Sequence, residues 1–129
     1  MKIIDLTLDI NENTPVFPGD PKIEIERQTV QTHGFGKTII KTNNHVSTHI
    51  DAPCHMIKNA NTLSDYPIEK FVGEGIVIDA VGQKEINVDL LQVKENDIVF
   101  FHTNHIKKLY EKDYFENNPI ITKELAQQL

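Results

Sequence analysis

Between His45 and His55 the chain reads His-Val-Ser-Thr-His-Ile-Asp-Ala-Pro-Cys-His, which puts three of its 6 histidines, an aspartate and a proline into one short run. No regular element suits this run, so it constrains the fold more than any other stretch. On a helix each residue turns about 100°; His45 and His49 would share a face, while Asp51 would sit roughly 200° around from His49. On a strand the odd positions share a face, yet His45 and His49 would stand ~13 Å apart. Neither arrangement lets the three side chains meet one ion through bonds of ~2.0–2.2 Å. A tight turn over Val46 to Thr48, followed by extended chain from His49 to Asp51, does. Pro53 excludes an ordinary central strand and places the run at the end of a sheet.

Two neutral imidazoles and a carboxylate make an N,N,O donor set suited to zinc, manganese or iron. With coordination positions left open, such an ion lowers the pKa of water toward ~7. His55, four residues beyond Asp51, is then the candidate general acid/base, because imidazole exchanges protons near neutral pH. Cys54 is expected to point away from His55 along extended chain and to be buried as a small hydrophobe. His33 sits in a glycine-rich turn, and His102 and His105 follow an expected strand; all three read as surface or strand-end residues and not as ligands. Phe100 and Phe101 read as core or interface, and Glu111, Asp113 and Glu116 as a solvated helical face.

Around this run the pattern is that of an α/β chain. Lys2 to Leu8, Lys22 to Val30 and Lys37 to Thr42 read as strands, the second alternating Ile23 and Ile25 with Glu24 and Glu26 so that one face is wet. A loop stiffened by Pro15, Pro18 and Pro21 separates the first two. Gly75 to Val81 and Asp97 to Phe101 are nearly continuous apolar runs, as in strands covered on both faces. Pro67 to Phe71 reads as a single turn, Val88 to Lys94 as a short helix or turn, and Ile106 to Phe115 as a helix. Thr122 is placed to cap a last helix with Leu125, Ala126 and Leu129 as its apolar stripe.

Composition limits what such a fold can serve. The 129 residues suffice for one domain, and 39% hydrophobic with 25% charged residues is a globular balance. With 13 basic against 19 acidic side chains, the net charge of −6 lacks the basic footprint of nucleic-acid binding. The single cysteine excludes an intramolecular disulfide and a cysteine-only zinc site. No apolar run approaches the ~18 residues of a membrane span, and Asp5 falls where a secretory signal would be apolar, so a cytoplasmic location is expected.

The run also resembles a known signature. His45-Val46-Ser47-Thr48-His49-Ile50-Asp51-Ala52-Pro53-Cys54-His55 is similar to the H-x-G-T-H-x-D-x-P-x-H pattern of the cyclase family of metal-dependent hydrolases. The resemblance extends to Ile4-Asp5-Leu6-Thr7, to Thr14-Pro15-Val16-Phe17-Pro18-Gly19-Asp20, to Tyr66-Pro67-Ile68, to Val72-Gly73 and to the strand Ile76 to Ala80. It implies an α/β fold of the swivelling β/β/α type in one domain over 1–129, lacking the C-terminal portion of the family fold. It further implies His45 and His49 as ligands of a first metal, most simply zinc with manganese as the alternative, and Asp51 as a carboxylate bridging two metals. His55 matches the proton donor and acceptor. Phe17 falls where arylformamide-hydrolysing members carry a substrate-lining tryptophan, and Ser47 stands where the family has glycine. The implied reaction is hydrolysis of an amide, formamide or cyclic amide, with a small-molecule amide as substrate, no nucleic-acid or membrane partner, and a homo-oligomeric state, dimer or tetramer. Family members are longer and supply a further His and Glu from their later part. The chain therefore reads as the N-terminal, metal-binding portion of such an enzyme, or alternatively as a truncated, non-catalytic metal-binding or oligomerisation module.

Overall fold

The computed structural model describes residues 2–129. Short helices and strands alternate in a mixed α/β arrangement, and the strands form three two-stranded sheets. The chain divides after Met56 into two units.

In the first unit, β1 (Glu24–Gln28) pairs antiparallel with β2 (Lys37–Lys41), Glu24 opposite Lys41 and Gln28 opposite Lys37. The expected alternation holds in β1: Ile23 is buried just before it and Ile25 is half-buried, while Glu24 and Glu26 face water. Lys41 meets its cross-strand partner Glu24 at 3.0 Å. Between the strands lies α1 (Val30–His33), a single helical turn. Thr14 is buried, and its hydroxyl accepts from the Asn11 N–H (2.9 Å) and donates to the Asp9 carbonyl (3.1 Å), so nothing polar is orphaned there.

Lys2 to Leu8 is not a strand. An extended segment needs a ladder partner to become one, and here side chains take the backbone groups instead. The Asp5 carboxylate accepts from the Thr7 N–H at 2.9 Å and from its hydroxyl at 2.6 Å, and the Leu8 N–H donates to Thr48 Oγ1 at 2.9 Å.

In the second unit, β3 (Gly75–Asp79) pairs parallel with β5 (Ile98–His102), and β4 (Glu85–Ile86) pairs parallel with β6 (Ile120–Ile121). Gly73 leads into β3 where any Cβ would stand 2.8 Å from the Asn96 carbonyl, so this approach of two backbones requires glycine. Ala80, Ile86 and Leu125 form the core, with Val88, Leu90 and Phe101 packed against it. α2 (Lys123–Ala126) begins as the sequence predicts: Thr122 Oγ1 accepts from the Leu125 N–H at 3.2 Å. Of its expected stripe only Leu125 is buried; Ala126 and Leu129 are exposed.

Two further expectations are corrected here. β3 and β5 are covered on one face only, since Ile76 and Ile78 turn inward while Val77 is 71% exposed and its register partner Phe100 is 45% exposed. A continuous apolar run records hydrophobicity but not how many layers lie over it. Ile106 to Phe115 is not a helix: a 3-10 turn spans His105–Lys108 and tight turns follow. Its ends are drawn together, as His105 Nε2 donates to the Tyr114 carbonyl at 2.9 Å and the two rings stack with centroids 4.7 Å apart. A straight helix would hold residues nine apart about 13 Å from each other along its axis.

Candidate metal centre

The histidine run bends sharply between His45 and His49, as its spacing requires. Val46 is buried and anchors the turn, leaving its neighbours to point elsewhere. Ser47 adopts the left-handed conformation, with φ of 60°, which reverses the chain between His45 and His49. From His49 to Ala52 the backbone has no regular structure, and Pro53–His55 form a 3-10 turn. The sequence marks the start of this turn: Asn43 stands two residues before His45, and its Oδ1 accepts from the His45 N–H at 2.8 Å.

Three side chains converge on one point. Asp51 Oδ1 lies 2.7 Å from His45 Nδ1 and 3.3 Å from His49 Nε2. The His45 and His49 rings meet edge to face with centroids 5.4 Å apart, and one ligand atom from each of the three residues can be chosen so that all lie within 4.8 Å of one another. Ligands of a tetrahedral ion with bonds of ~2.1 Å are separated by about 3.4 Å, so this spacing fits the ion. The side chains are 27%, 31% and 53% exposed for His45, His49 and Asp51, so small molecules can reach them.

The hydrogen bonding of His49 adds an electrostatic argument. Its Nδ1 stands 2.8 Å from the Ser47 carbonyl oxygen. A carbonyl only accepts, so Nδ1 carries the proton, and in the neutral ring Nε2 presents a lone pair. Nε2 lies 3.3 Å from a carboxylate oxygen of Asp51. A nitrogen and a carboxylate oxygen at this separation match the spacing of two ligands on one ion. Ligating histidines are oriented by this kind of bond from the second ring nitrogen to a carbonyl, so the residues present fit a divalent cation held by His45, His49 and Asp51.

His55 joins the cluster from the 3-10 turn, with its ring centroid 3.9 Å from that of His45 and the planes inclined by 32°. It is exposed. Cys54, in the middle of the same turn, is exposed rather than buried. The expectation of burial assumed extended chain, whereas the 3-10 turn swings the thiol outward.

Phe17 is 57% exposed and opens a reverse turn closed by the Asp20 N–H donating to the Phe17 carbonyl at 3.0 Å. Pro18 and Gly19 occupy its middle, and Gly19 takes φ of 100°, which a type II turn requires of its third residue. From this turn the Asp20 carboxylate accepts from Asn43 Nδ2 at 2.9 Å, and Asn43 in turn holds the His45 N–H. A polar relay thus joins the Phe17 turn to the first histidine. Sequence reasoning gave no role to Asn43 and quoted Asp20 only within the loop of the resemblance, because the relay joins residues far apart in the chain.

The other histidines have partners of their own. His102 ends β5 with Nδ1 3.8 Å from Asp79 Oδ1, His105 is engaged by Tyr114, and His33 Nδ1 lies 2.7 Å from Thr32 Oγ1. Among the described residues only His45, His49 and Asp51 bring three such ligand atoms together. No helix among them is long and apolar enough to cross a membrane.

Comparison with known families matches residues 4–129 to the family described as "Putative cyclase". Among curated proteins, the chain is 28% identical over 82 residues to a kynurenine formamidase of Salinibacter ruber, covering 61% of this chain and 39% of that protein. It is 32% identical over 83 residues to one of Paracidovorax citrulli, covering 61% and 38%. It is 30% identical over 106 residues to one of Erythrobacter litoralis, covering 78% and 48%. The matched chain spans less than half the length of each of these relatives.

Proposed function

The chain belongs to the cyclase family, and from that premise we propose that it carries the metal-binding segment of a hydrolase that opens the C–N bond of a formamide or related amide, on the swivelling β/β/α plan. The observation that carries the metal is the convergence of His45, His49 and Asp51, one ligand atom of each within 4.8 Å of the others, while His49 Nδ1 is committed to the Ser47 carbonyl. The substrate class comes from the relatives, which are named kynurenine formamidases.

A divalent ion here, zinc first and manganese as the alternative, would supply Lewis acidity toward water and toward the carbonyl oxygen. His45 and His49 offer neutral nitrogens, and Asp51 offers the charge that makes the set selective for a cation. His55 is near enough to share the reaction space, because its ring lies on that of His45. Its task is to hold a proton at a ring nitrogen and deliver it to the amide nitrogen as the C–N bond breaks. Water supplies hydroxyl to the carbonyl carbon and a proton to the amine, so a formamide yields formate and a free amine. Phe17 presents an exposed ring on the turn joined by hydrogen bonds to His45, suited to flank an aryl group.

The test combines metal analysis with turnover. Protein purified without chelator is assayed for zinc and manganese and for hydrolysis of N-formylkynurenine, alongside His49→Ala and His55→Ala. Near-stoichiometric metal, lost in His49→Ala and retained in His55→Ala with turnover abolished, is the expected result. Failure to bind either metal at micromolar concentration would remove the basis of the reading. Metal binding with no turnover would reduce the chain to a metal-binding module.

A further inference from the structure

We infer that Ser47 and Thr48 form a latch that fastens the metal loop to the N-terminal segment, and that through it Ser47 acts as a positioning residue for His49. The inference rests on the metal-site reading above and adds a reason for the orientation of one of its ligands.

The latch has two bonds running in opposite senses between the same short stretches. Ser47 Oγ donates to the Leu8 carbonyl at 2.8 Å, and the Leu8 N–H donates to Thr48 Oγ1 at 2.9 Å. Both backbone groups of Leu8 are therefore taken by consecutive side chains of the metal loop, 39 and 40 residues away. A single bond would leave the loop free to pivot, whereas two bonds to one residue fix both its position and its direction.

The fixed unit includes the Ser47 peptide carbonyl, which accepts from His49 Nδ1–H at 2.8 Å. Its direction decides which ring nitrogen keeps the proton. The tautomer with the proton on Nε2 is the commoner one in free imidazole side chains, and it would put an N–H where a cation shared with Asp51 needs a lone pair. By holding the Ser47 carbonyl against Nδ1, the latch selects the tautomer whose Nε2 can ligate. Ser47 does this in spite of a backbone conformation, φ of 60°, that disfavours any residue with a Cβ. Glycine would adopt that conformation freely but would have no hydroxyl to close the latch.

This conflict supplies a test in which positioning and structural roles move opposite ways. Ser47→Gly relieves the backbone and removes one bond; Thr48→Val keeps the shape and removes the other. Three quantities are read in the metal-free and zinc-titrated chain: the melting temperature, the His49 tautomer from long-range proton–nitrogen NMR couplings, and the zinc affinity. For Ser47→Gly the melting temperature should hold or rise, the Nε2–H tautomer of His49 should become populated, and zinc affinity should fall about 10-fold, the scale set by altered outer-shell partners. Thr48→Val should shift the tautomer and the affinity the same way by less, and the Leu8 amide should lose its exchange protection in Thr48→Val. An unchanged tautomer in both variants overturns the latch, as does a zinc affinity that falls only where the melting temperature falls with it. His49→Ala separates the two readings: if its zinc affinity equals that of the parent chain, the metal site fails, while the His49 tautomer of metal-free Ser47→Gly and Thr48→Val still reports on the latch.

Discussion

The two units of the chain are held by different means. Up to Met56, side-chain hydrogen bonds reach across long stretches of sequence: Leu8 to Ser47 and Thr48, Asp20 to Asn43, Glu12 to Arg27. From Ile57 onward the described side-chain bonds stay local, the longest joining His105 to Tyr114, and Ala80, Ile86 and Leu125 form a buried apolar cluster beneath parallel ladders. Apolar packing is non-directional and tolerates small shifts, whereas a hydrogen bond fixes an atom to within a fraction of an ångström. The candidate cluster of His45, His49 and Asp51 lies in the unit cross-linked by such bonds, which is where ring nitrogens can be aimed.

The most disruptive way to probe this contrast is Leu125→Ala. Leu125 is 0% exposed, and removing its side chain should cost about 2–5 kcal/mol in urea denaturation. The folded fraction should bind metal with unchanged stoichiometry. A cost below ~1 kcal/mol would show that the apolar cluster is not what secures the second unit.

In the first unit the corresponding variant is His49→Ala, read in binding and not in stability. Its side chain is partly exposed, so the fold should tolerate the change while zinc affinity falls by at least ~100-fold, about 2.7 kcal/mol. Calorimetry showing a much smaller loss would mean that His45 and Asp51 alone hold the cation.

Thr122→Ala is smaller, at about 1 kcal/mol, because it removes the one side-chain bond that caps α2. Thermal melts of this variant and of Thr122→Ser, which keeps the hydroxyl, give the comparison. Equal losses in both would assign the effect to the methyl group instead of the cap.

The smallest effects are electrostatic. The Asp65 carboxyl is held below the usual carboxylate range chiefly by the Thr62 N–H and next by the Thr62 hydroxyl, and that of Glu12 chiefly by its hydrogen bond from the Arg27 guanidinium. A carboxyl whose folded pKa is depressed adds stability above its unfolded pKa, and that contribution disappears as pH falls through the folded value. Both should therefore weaken the protein only as pH falls toward and below the ordinary carboxyl values, about 3.9 for Asp and about 4.3 for Glu. Carboxyl NMR titration should show Glu12, but not Asp65, returning to its ordinary value in Arg27→Gln. A Glu12 midpoint that ignores this change would sever the tie between residue 12 and β1.

What the sequence disclosed follows the same division. Strand positions in β1, β2, β3 and β5 and the Thr122 cap were legible because each depends on residues a few positions apart. The turn through Ser47 was legible because helix and strand were both excluded by distance. The errors share one cause, that local pattern carries no information about partners. Lys2 to Leu8 had the composition of a strand but no ladder, and Ile106 to Phe115 gave up a helix for the closure of His105 on Tyr114. Asp20 and Leu8 entered the site from 23 and 39 residues away, a distance at which no motif spacing operates.

The ladders of the second unit interleave, β3 with β5 and β4 with β6. As a chain emerges from the ribosome, the β3–β5 ladder must wait for residues 98–102, the β4–β6 ladder for Ile120, and the core for Leu125. The histidine loop has no such delay, since Leu8, Asp20 and Asn43 all precede it. Domains generally fold in the order in which they are synthesised. The hydrogen bonds that fix the histidine loop can thus form while the second half of the chain is still being made.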